Sequence, residues 1–325
     1  MKCIEIHGQK LIPANRPEPK IKSGEVLVKV YAAGVNRPDI LQRKGLYPPP
    51  KDASDIPGLE IAGEIVKGPG KGKKVCALVS GGGYAEYCAV PSGQCLPVPK
   101  GMDFTTAAGI PETFFTVWAN LVDIGNMKKG DSILVHGGSS GIGTAAIQIA
   151  RAAGVKVFVT AGTDEKCKAC KLLGAHAAVN YKTQDFVSEI ARETRGKGVD
   201  IVLDMVGGDY IPRNLKTLAP AGRHISIATQ GGHRAEVDLR EIMTKRLILT
   251  GSTLRPRSVE EKTAIAEALR KNVWPLLDRK EGLFALFSPK RIAPVIDKVF
   301  LLDEAQAAHD YLEAGSHIGK VILKV

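Results

Sequence analysis

Aromatic side chains make up only 5% of the 325 residues, and the chain holds no run of about 18 apolar residues. The second absence leaves no candidate for a membrane-spanning helix. The start Met1-Lys2-Cys3-Ile4-Glu5-Ile6 alternates apolar and polar residues as a strand does. It is not a charged segment, apolar core and small-residue cleavage site, so no secretory leader is expected. Cysteine is scarce and scattered, at Cys3, Cys76, Cys88, Cys95, Cys167 and Cys170, which is no disulfide framework in a chain of this size. Cys167-Lys168-Ala169-Cys170 lacks the second pair or the histidines that a zinc site needs. It also falls inside an expected helix rather than on a redox-active turn. A cytoplasmic protein with no membrane partner is the expectation.

Acidic residues are outnumbered, 34 against 45 Lys and Arg, for a net charge of +11. A nucleic-acid surface would cluster those cations and interleave them with aromatics. Here they stand in short scattered pairs such as Lys73-Lys74 and Lys128-Lys129, so nucleic acid is not the expected partner. A basic surface of this kind aids solubility and draws in an anionic cofactor.

The chain is long enough for two domains, each with its own core. Its first third is β-rich, with period-two or apolar runs at 25–30, 62–66, 74–79 and 84–91 broken by Gly and Pro. A helix is expected over 115–124. From Asp131 onward strands at 132–136, 156–160, 177–180, 199–204, 223–227 and 247–250 alternate with helices at 141–153, 165–173, 185–193 and 210–218. Strands spaced by helices predict a parallel, doubly wound α/β sheet. After a helix over 259–269 come a strand at 298–300, a helix over 304–313 and a strand at 320–324. This tail is too short for a domain and is expected to pack on the N-terminal β-rich part.

The strongest motif joins the strand at 132–136 to the helix that follows it. It reads Gly137-Gly138-Ser139-Ser140-Gly141-Ile142-Gly143, and Gly141-x-Gly143-x-x-Ala146 fits the dinucleotide fingerprint. Glycine permits the tight turn and brings backbone close to a pyrophosphate. The helix N-terminus then offers unpaired N–H groups and the positive end of its dipole. Binders of NAD carry Asp or Glu at the end of the second strand for the ribose 2′-hydroxyl. Here that end is Val159-Thr160-Ala161-Gly162-Thr163, without an acid. Asp164 and Glu165 open the next helix, and Lys166 is placed to meet a 2′-phosphate. NADPH is therefore expected over NADH.

Further motifs carry a resemblance over nearly the whole chain. They are Ala33-Gly34-Val35-Asn36-Arg37-Pro38-Asp39, Pro57-Gly58-Leu59-Glu60, Gly82-Gly83-Tyr84-Ala85-Glu86-Tyr87, Pro111-Glu112-Thr113-Phe114-Phe115-Thr116, the glycine turn and Ile318-Gly319-Lys320-Val321. In this order they resemble the medium-chain dehydrogenases/reductases, and among them the zinc-free quinone oxidoreductases of the zeta-crystallin type. The resemblance implies a GroES-like catalytic domain from 1–115 and 275–325, a Rossmann NADPH-binding domain over 116–274, and a homodimer. Alcohol dehydrogenases of this superfamily place zinc ligands where Asn36 and Leu59 stand, and neither can replace them. The superfamily's structural-zinc loop of four close cysteines is missing as well. The implied chemistry is reduction of a quinone, or another small electrophilic acceptor, without a metal. The resemblance leaves hydride and single-electron delivery both open, and the acceptor can take its protons from water.

By the same resemblance Asn36 and Tyr47 line the nicotinamide and quinone end of the site. Thr116 lies against the nicotinamide. Gly138, Ser139, Ser140, Gly141, Ile142, Gly162, Thr163, Lys166 and Tyr181 hold the phosphates and adenosine. Read alone, Asn36 is a turn residue before a helix, and Tyr47 is a packing residue beside Pro48-Pro49-Pro50. One departure is the short stretch Lys67-Gly68-Pro69-Gly70-Lys71-Gly72-Lys73-Lys74, where relatives carry a longer loop. Two rivals stand beside the quinone reading. One is an NADPH-dependent enone or enoyl-thioester reductase with Tyr47 as acid. The other is a cofactor-dependent RNA-binding protein.

Overall fold

The computed structural model describes residues 1–277 and 292–325. These divide into two compact units, Met1–Phe115 with Leu254–Val325, and Thr116–Thr253.

The first unit is built on a seven-stranded, mostly antiparallel sheet. Its long central strand Glu25–Val35 pairs antiparallel with Glu60–Lys67, Tyr87–Pro91 and the C-terminal strand Lys320–Lys324. The tail thus enters the N-terminal sheet as expected. Ile296–Leu301 joins it in parallel, and Lys74–Leu78 and Cys95–Pro97 extend the other side. Buried side chains from both ends of the chain, including Val28, Ile61, Val75, Tyr84, Leu302, Val321 and Leu323, fill one core. A separate hairpin, Lys2–His7 with Lys10–Asn15, covers it.

The helix Val259–Asn272 packs with this unit, so the return from the second unit comes at Leu254 rather than at the expected 275. Its capping box is complete. Ser258 Oγ accepts from Glu261 N at 3.2 Å, and Glu261 Oε2 accepts from Ser258 N at 2.9 Å. Thr263 lies so close to Gly93 that a Cβ there would meet its Oγ1 at 2.4 Å. The indole of Trp274 donates to Pro97 O at 2.7 Å. Such side-chain fits across distant segments leave no mark in local periodicity.

The second unit is a six-stranded parallel sheet in the order Ala177–Asn180, Lys156–Ala161, Ser132–Val135, Val199–Asp204, Leu218–Ser226, Ile248–Gly251. Numbered within the unit this is 3-2-1-4-5-6, the Rossmann order, whose reversal beside the first strand is where dinucleotides bind. Leu134, Phe158, Phe186, Val202 and Leu215 form its buried core. Before it, the expected helix over 115–124 is an α-helix at Pro111–Val117 that widens into a π-helical stretch over Trp118–Ile124. No helix among the described residues is long and apolar enough to cross a membrane.

Candidate cofactor and acceptor sites

In the second unit the glycine turn links the strand Ser132–Val135 to the helix Gly141–Ala152. Steric need is sharpest at two positions. A Cβ on Gly138 would lie 2.5 Å from Val159 Cβ, and one on Gly143 would lie 2.3 Å from Gly137 O. The turn is thereby pressed against the second strand and folded on itself, a cradle only glycine can form. Ser140 caps the helix, its Oγ accepting from Gly143 N at 3.0 Å. Its O–H remains a donor, while Ser139 is buried and Gly141 and Ile142 are half-buried in the turn.

A second cluster forms at the ends of the strands Lys156–Ala161 and Ala177–Asn180. Tyr181 Oη sits 2.9 Å from where a Gly162 Cβ would be, so ring and glycine backbone meet closely. Thr163 caps the next helix, Oγ1 accepting from Lys166 N at 3.2 Å. Asp164 Oδ1 accepts from Asn180 Nδ2 at 2.7 Å. Gly162, Thr163, Lys166 and Tyr181 are thus brought together at these strand ends. Thr116 is buried, and its carbonyl accepts from Asn120 Nδ2 at 2.9 Å.

Beneath the turn runs a buried polar chain that sequence reasoning did not reach. His136 bonds through Nδ1 to Thr160 Oγ1 at 3.0 Å and through Nε2 to Asn214 Oδ1 at 2.7 Å. Asn214 Nδ2 donates to Asp204 Oδ2 at 3.2 Å, and His224 Nε2 lies 3.1 Å from the same oxygen. Burial pushes the His136 imidazole down to about 4, so it is neutral at physiological pH. The chain links the end of the strand Ser132–Val135 with three further strands and a helix beneath the glycine turn.

In the first unit Asn36 occupies the N-cap position of the helix Arg37–Arg43, as its turn reading expects. Its side chain looks elsewhere, with Nδ2 donating to Glu60 Oε1 at 2.9 Å and Oδ1 accepting from Lys320 Nζ at 2.6 Å. Lys320 Nζ also donates to Val35 O at 3.1 Å and forms a salt bridge to Glu60 Oε1 at 2.6 Å. Glu60 and Lys320 were visible only as letters in two short motifs. Their partnership spans the two ends of the chain and has no local signal.

Asp39 lies behind this group, accepting from Asn36 N, Gly58 N and Tyr84 Oη. Burial pushes its carboxyl up to about 6 against those N–H donors. Tyr84 Oη in turn lies 3.0 Å from His309 Nε2. Tyr47 is half-buried, with the Arg255 guanidinium 5.6 Å from its ring centre. Burial, then the charge of Glu112, pushes the Tyr47 hydroxyl above its ordinary range, so it stays protonated as a hydrogen-bond donor. Arg255 is buried and bonded to Ser80 O, Gln42 Oε1 and Tyr47 O.

A parallel Rossmann sheet with a glycine cradle and a GroES-like β unit in one chain define an oxidoreductase scaffold of the alcohol-dehydrogenase type. Residues 22–100 match the alcohol dehydrogenase GroES-like domain family and residues 141–270 the zinc-binding dehydrogenase family. The rat quinone oxidoreductase is 32% identical over 313 residues, covering 94% of this chain and 90% of its own length. Among solved structures, the quinone oxidoreductase of Thermus thermophilus, determined also with NADPH, is 32% identical with a TM-score of 0.84 over the whole of both chains. An NAD-dependent alcohol dehydrogenase, 29% identical over the whole of both chains, follows the same fold with a TM-score of 0.82. The chain belongs to the medium-chain dehydrogenases/reductases, alongside their quinone oxidoreductases.

The name of the matched family raises a metal. The donor set does not fit one. Leu59 is buried and apolar, and the Asn36 amide is engaged by Glu60 and by the Lys320 ammonium. Among the described residues no group of three His, Cys, Asp or Glu side chains is arranged to hold a metal ion. A nicotinamide dinucleotide does fit, because the glycine cradle leaves backbone where a pyrophosphate approaches and the capped helix behind it points its N–H groups outward.

Proposed function

We propose that the chain is an NADPH-dependent quinone oxidoreductase that works without a metal. The observation that carries the reading is the Asn36–Glu60–Lys320 cluster, which spends its polar groups on one another instead of on a Lewis acid. An alcohol would need such an acid to lose its hydride, whereas a quinone accepts one readily.

Gly138, Ser139, Ser140, Gly141 and Ile142 would cradle the pyrophosphate. Gly162, Thr163, Lys166 and Tyr181 would hold the 2′-phosphate and adenosine, and Thr116 would lie against the nicotinamide. The bound cofactor supplies a hydride. Tyr47 offers a ring face and a hydroxyl donor to the acceptor, held in place by Arg255. Asn36, its amide fixed by Glu60 and Lys320, presents a rigid wall on the same unit.

The same reading includes a homodimer. Among the described residues the strand Ile248–Gly251 is an edge of the parallel sheet, and Ile248, Leu249, Leu239 and Met243 are exposed on or near it. An unpaired apolar edge invites a second copy.

The decisive experiment is NADPH and NADH oxidation measured against a panel of quinones beside a panel of enones and enoyl thioesters. Quinone turnover with NADPH preferred is the expected result. Turnover of enones alone would make the chain a double-bond reductase, and a preference for NADH would overturn the cofactor assignment.

A further inference from the structure

The buried polar chain of the second unit has no part in the roles above. His136 stands between the strand Ser132–Val135 and the glycine turn. An amide oxygen only accepts, so His136 Nε2 carries the proton and donates to Asn214 Oδ1 at 2.7 Å. Nδ1 is then the bare nitrogen, and Thr160 Oγ1 donates to it at 3.0 Å. The Asn214 amide has one working orientation, because its Nδ2 faces Asp204 Oδ2 at 3.2 Å, where a carboxylate needs a donor. Burial works against the Asp204 charge, but the bond from His224 and the nearby His136 outweigh it and hold the carboxyl below its ordinary range. The His136 imidazole also meets the rings of Phe186 and Tyr210 in T-shaped contacts, each centre 4.9 Å away. Its tautomer and its orientation are both fixed.

Each end of this chain holds a loop. Thr160 O accepts from Gly138 N at 2.8 Å, so the residue that orients the imidazole also seats the glycine turn. At the other end Asp204 Oδ1 accepts from Val206 N at 2.7 Å and from Gly207 N at 3.3 Å, which pins the segment after the strand Val199–Asp204. The two loops also touch, since a Cβ on Gly137 would lie 2.8 Å from Met205 Sδ. They follow the neighbouring parallel strands Ser132–Val135 and Val199–Asp204. Between these two strands the strand order reverses, and a dinucleotide lies in the crevice outside the carboxyl ends of the strands at such a point.

We propose that the chain Thr160–His136–Asn214–Asp204 is a positioning device for the cofactor, which holds the glycine turn and the loop after Asp204 at the spacing a dinucleotide needs. This rests on the NADPH reading above and gives a role to four buried residues beneath the cradle, all within the second unit. Asn214 is the middle link, fully buried on the helix Tyr210–Thr217. Cutting the chain there releases the two loops from each other. The cluster of Gly162 and Tyr181 at the neighbouring strand ends is built on contacts of its own and keeps its place.

Two substitutions of Asn214 test this. Asn214→Leu removes both hydrogen bonds and should weaken NADP⁺ binding about 10-fold, while the Kd for adenosine 2′-monophosphate, which reaches the adenosine end alone, stays within about twofold. Asn214→Asp carries its own rescue. A protonated carboxyl there donates to Asp204 and accepts from His136 as the amide does, whereas an ionised one loses the donor and repels Asp204. A carboxyl set against another carboxylate holds its proton above the usual range, so NADP⁺ affinity should be near wild type at about pH 5 and fall toward that of Asn214→Leu at about pH 8. Each value is taken as a ratio to wild type at the same pH. His136, His224, Tyr210 and Arg213 are the other titratable or charged groups around Asn214 and Asp204, and they are common to both proteins. Equal losses for NADP⁺ and adenosine 2′-monophosphate would make the chain a support of the fold alone and overturn the proposal. Wild-type NADP⁺ affinity in Asn214→Leu would overturn it too, as would a ratio for Asn214→Asp that does not change with pH. Should Asn214→Leu fail to fold, the pH ratio of Asn214→Asp decides by itself. A wild type that binds neither NADP⁺ nor NADPH instead refutes the cofactor reading, and the positioning role falls with it.

Discussion

Lys320 Nζ lies 2.6 Å from Glu60 Oε1, with 4% of the lysine side chain and none of the glutamate exposed to solvent. The pair locks the C-terminal strand Lys320–Lys324 against the strand Glu60–Lys67 through the central strand Glu25–Val35. Removing one partner leaves an uncompensated buried charge, so Lys320→Met should cost about 3–5 kcal/mol of folding stability. Adding Glu60→Gln should restore part of that loss, because the stranded charge goes with it. Urea denaturation of the two variants checks both statements, and a double variant no more stable than the single one would contradict them.

The glycine cradle yields a paired prediction. A Cβ on Gly138 collides with a side chain, that of Val159, whereas one on Gly143 collides with the backbone of Gly137 and Gly138. Gly138→Ala should therefore destabilise the protein by about 1–3 kcal/mol and weaken NADPH binding, and Val159→Ala should rescue it. Gly143→Ala should do comparable harm that no single side-chain truncation repairs. NADPH fluorescence titration and thermal melting of the three variants separate the cases.

Local periodicity carried the second unit almost completely. The strands at Ser132–Val135, Lys156–Ala161, Ala177–Asn180 and Val199–Asp204 are short apolar runs set between helical segments, and the turn between the first strand and its helix is written in consecutive glycines. The short helix Leu239–Lys245 escaped because it spans barely two turns. The first unit's polar cluster escaped for another reason. Asn36, Glu60, Glu112 and Lys320 stand on four separate elements, and only the antiparallel pairing of Lys320–Lys324 with Glu25–Val35 brings the first and last of them together. Asn36 shows the difference most clearly. Its backbone does what a residue before a helix does, while its side chain serves partners that no local pattern announces.

Lys166 tests the cofactor assignment. It stands in the first turn of the helix Asp164–Leu173, beside Thr163 and the Gly162–Tyr181 contact, and Asp164 is occupied by Asn180. Loss of a charge-assisted bond to a 2′-phosphate should raise the KM for NADPH about 10-fold in Lys166→Ala. The KM for NADH, which has no such phosphate, should not move. Equal changes for both cofactors would mean that the lysine acts on the helix rather than on the phosphate.

The open strand Ile248–Gly251 gives a test of assembly. Leu249, 40% exposed, lies on this edge strand of the described sheet. Leu249→Lys should leave the monomer folded and convert the expected dimer to monomer in sedimentation velocity, since a charge on an open edge discourages strand pairing. A wild type that sediments as a monomer would remove the basis for the dimer.

The last prediction concerns acid. His309 is fully buried, its Nε2 lies 3.0 Å from Tyr84 Oη and its Nδ1 has no partner. Burial, then the nearby Arg43 charge, pushes its imidazole from 6.5 down to about 3. A histidine lowered in this way favours the folded state above its unfolded value, and the contribution is lost as pH falls from 6.5 toward 3, because the unfolded chain then binds the extra proton. Asp39, bonded to the same tyrosine, works with the opposite sign. Raised from 3.8 to about 6, it favours the fold at low pH and loses that contribution as pH rises through 6. The wild-type profile between those limits is thus a difference of two opposed terms. Replacing His309 with Gln removes one of them, so the variant should be less stable than wild type at pH 7 and should lose less stability between pH 7 and 4. Urea midpoints at the two pH values measure this directly. Parallel losses in wild type and variant would show that His309 does not titrate with folding.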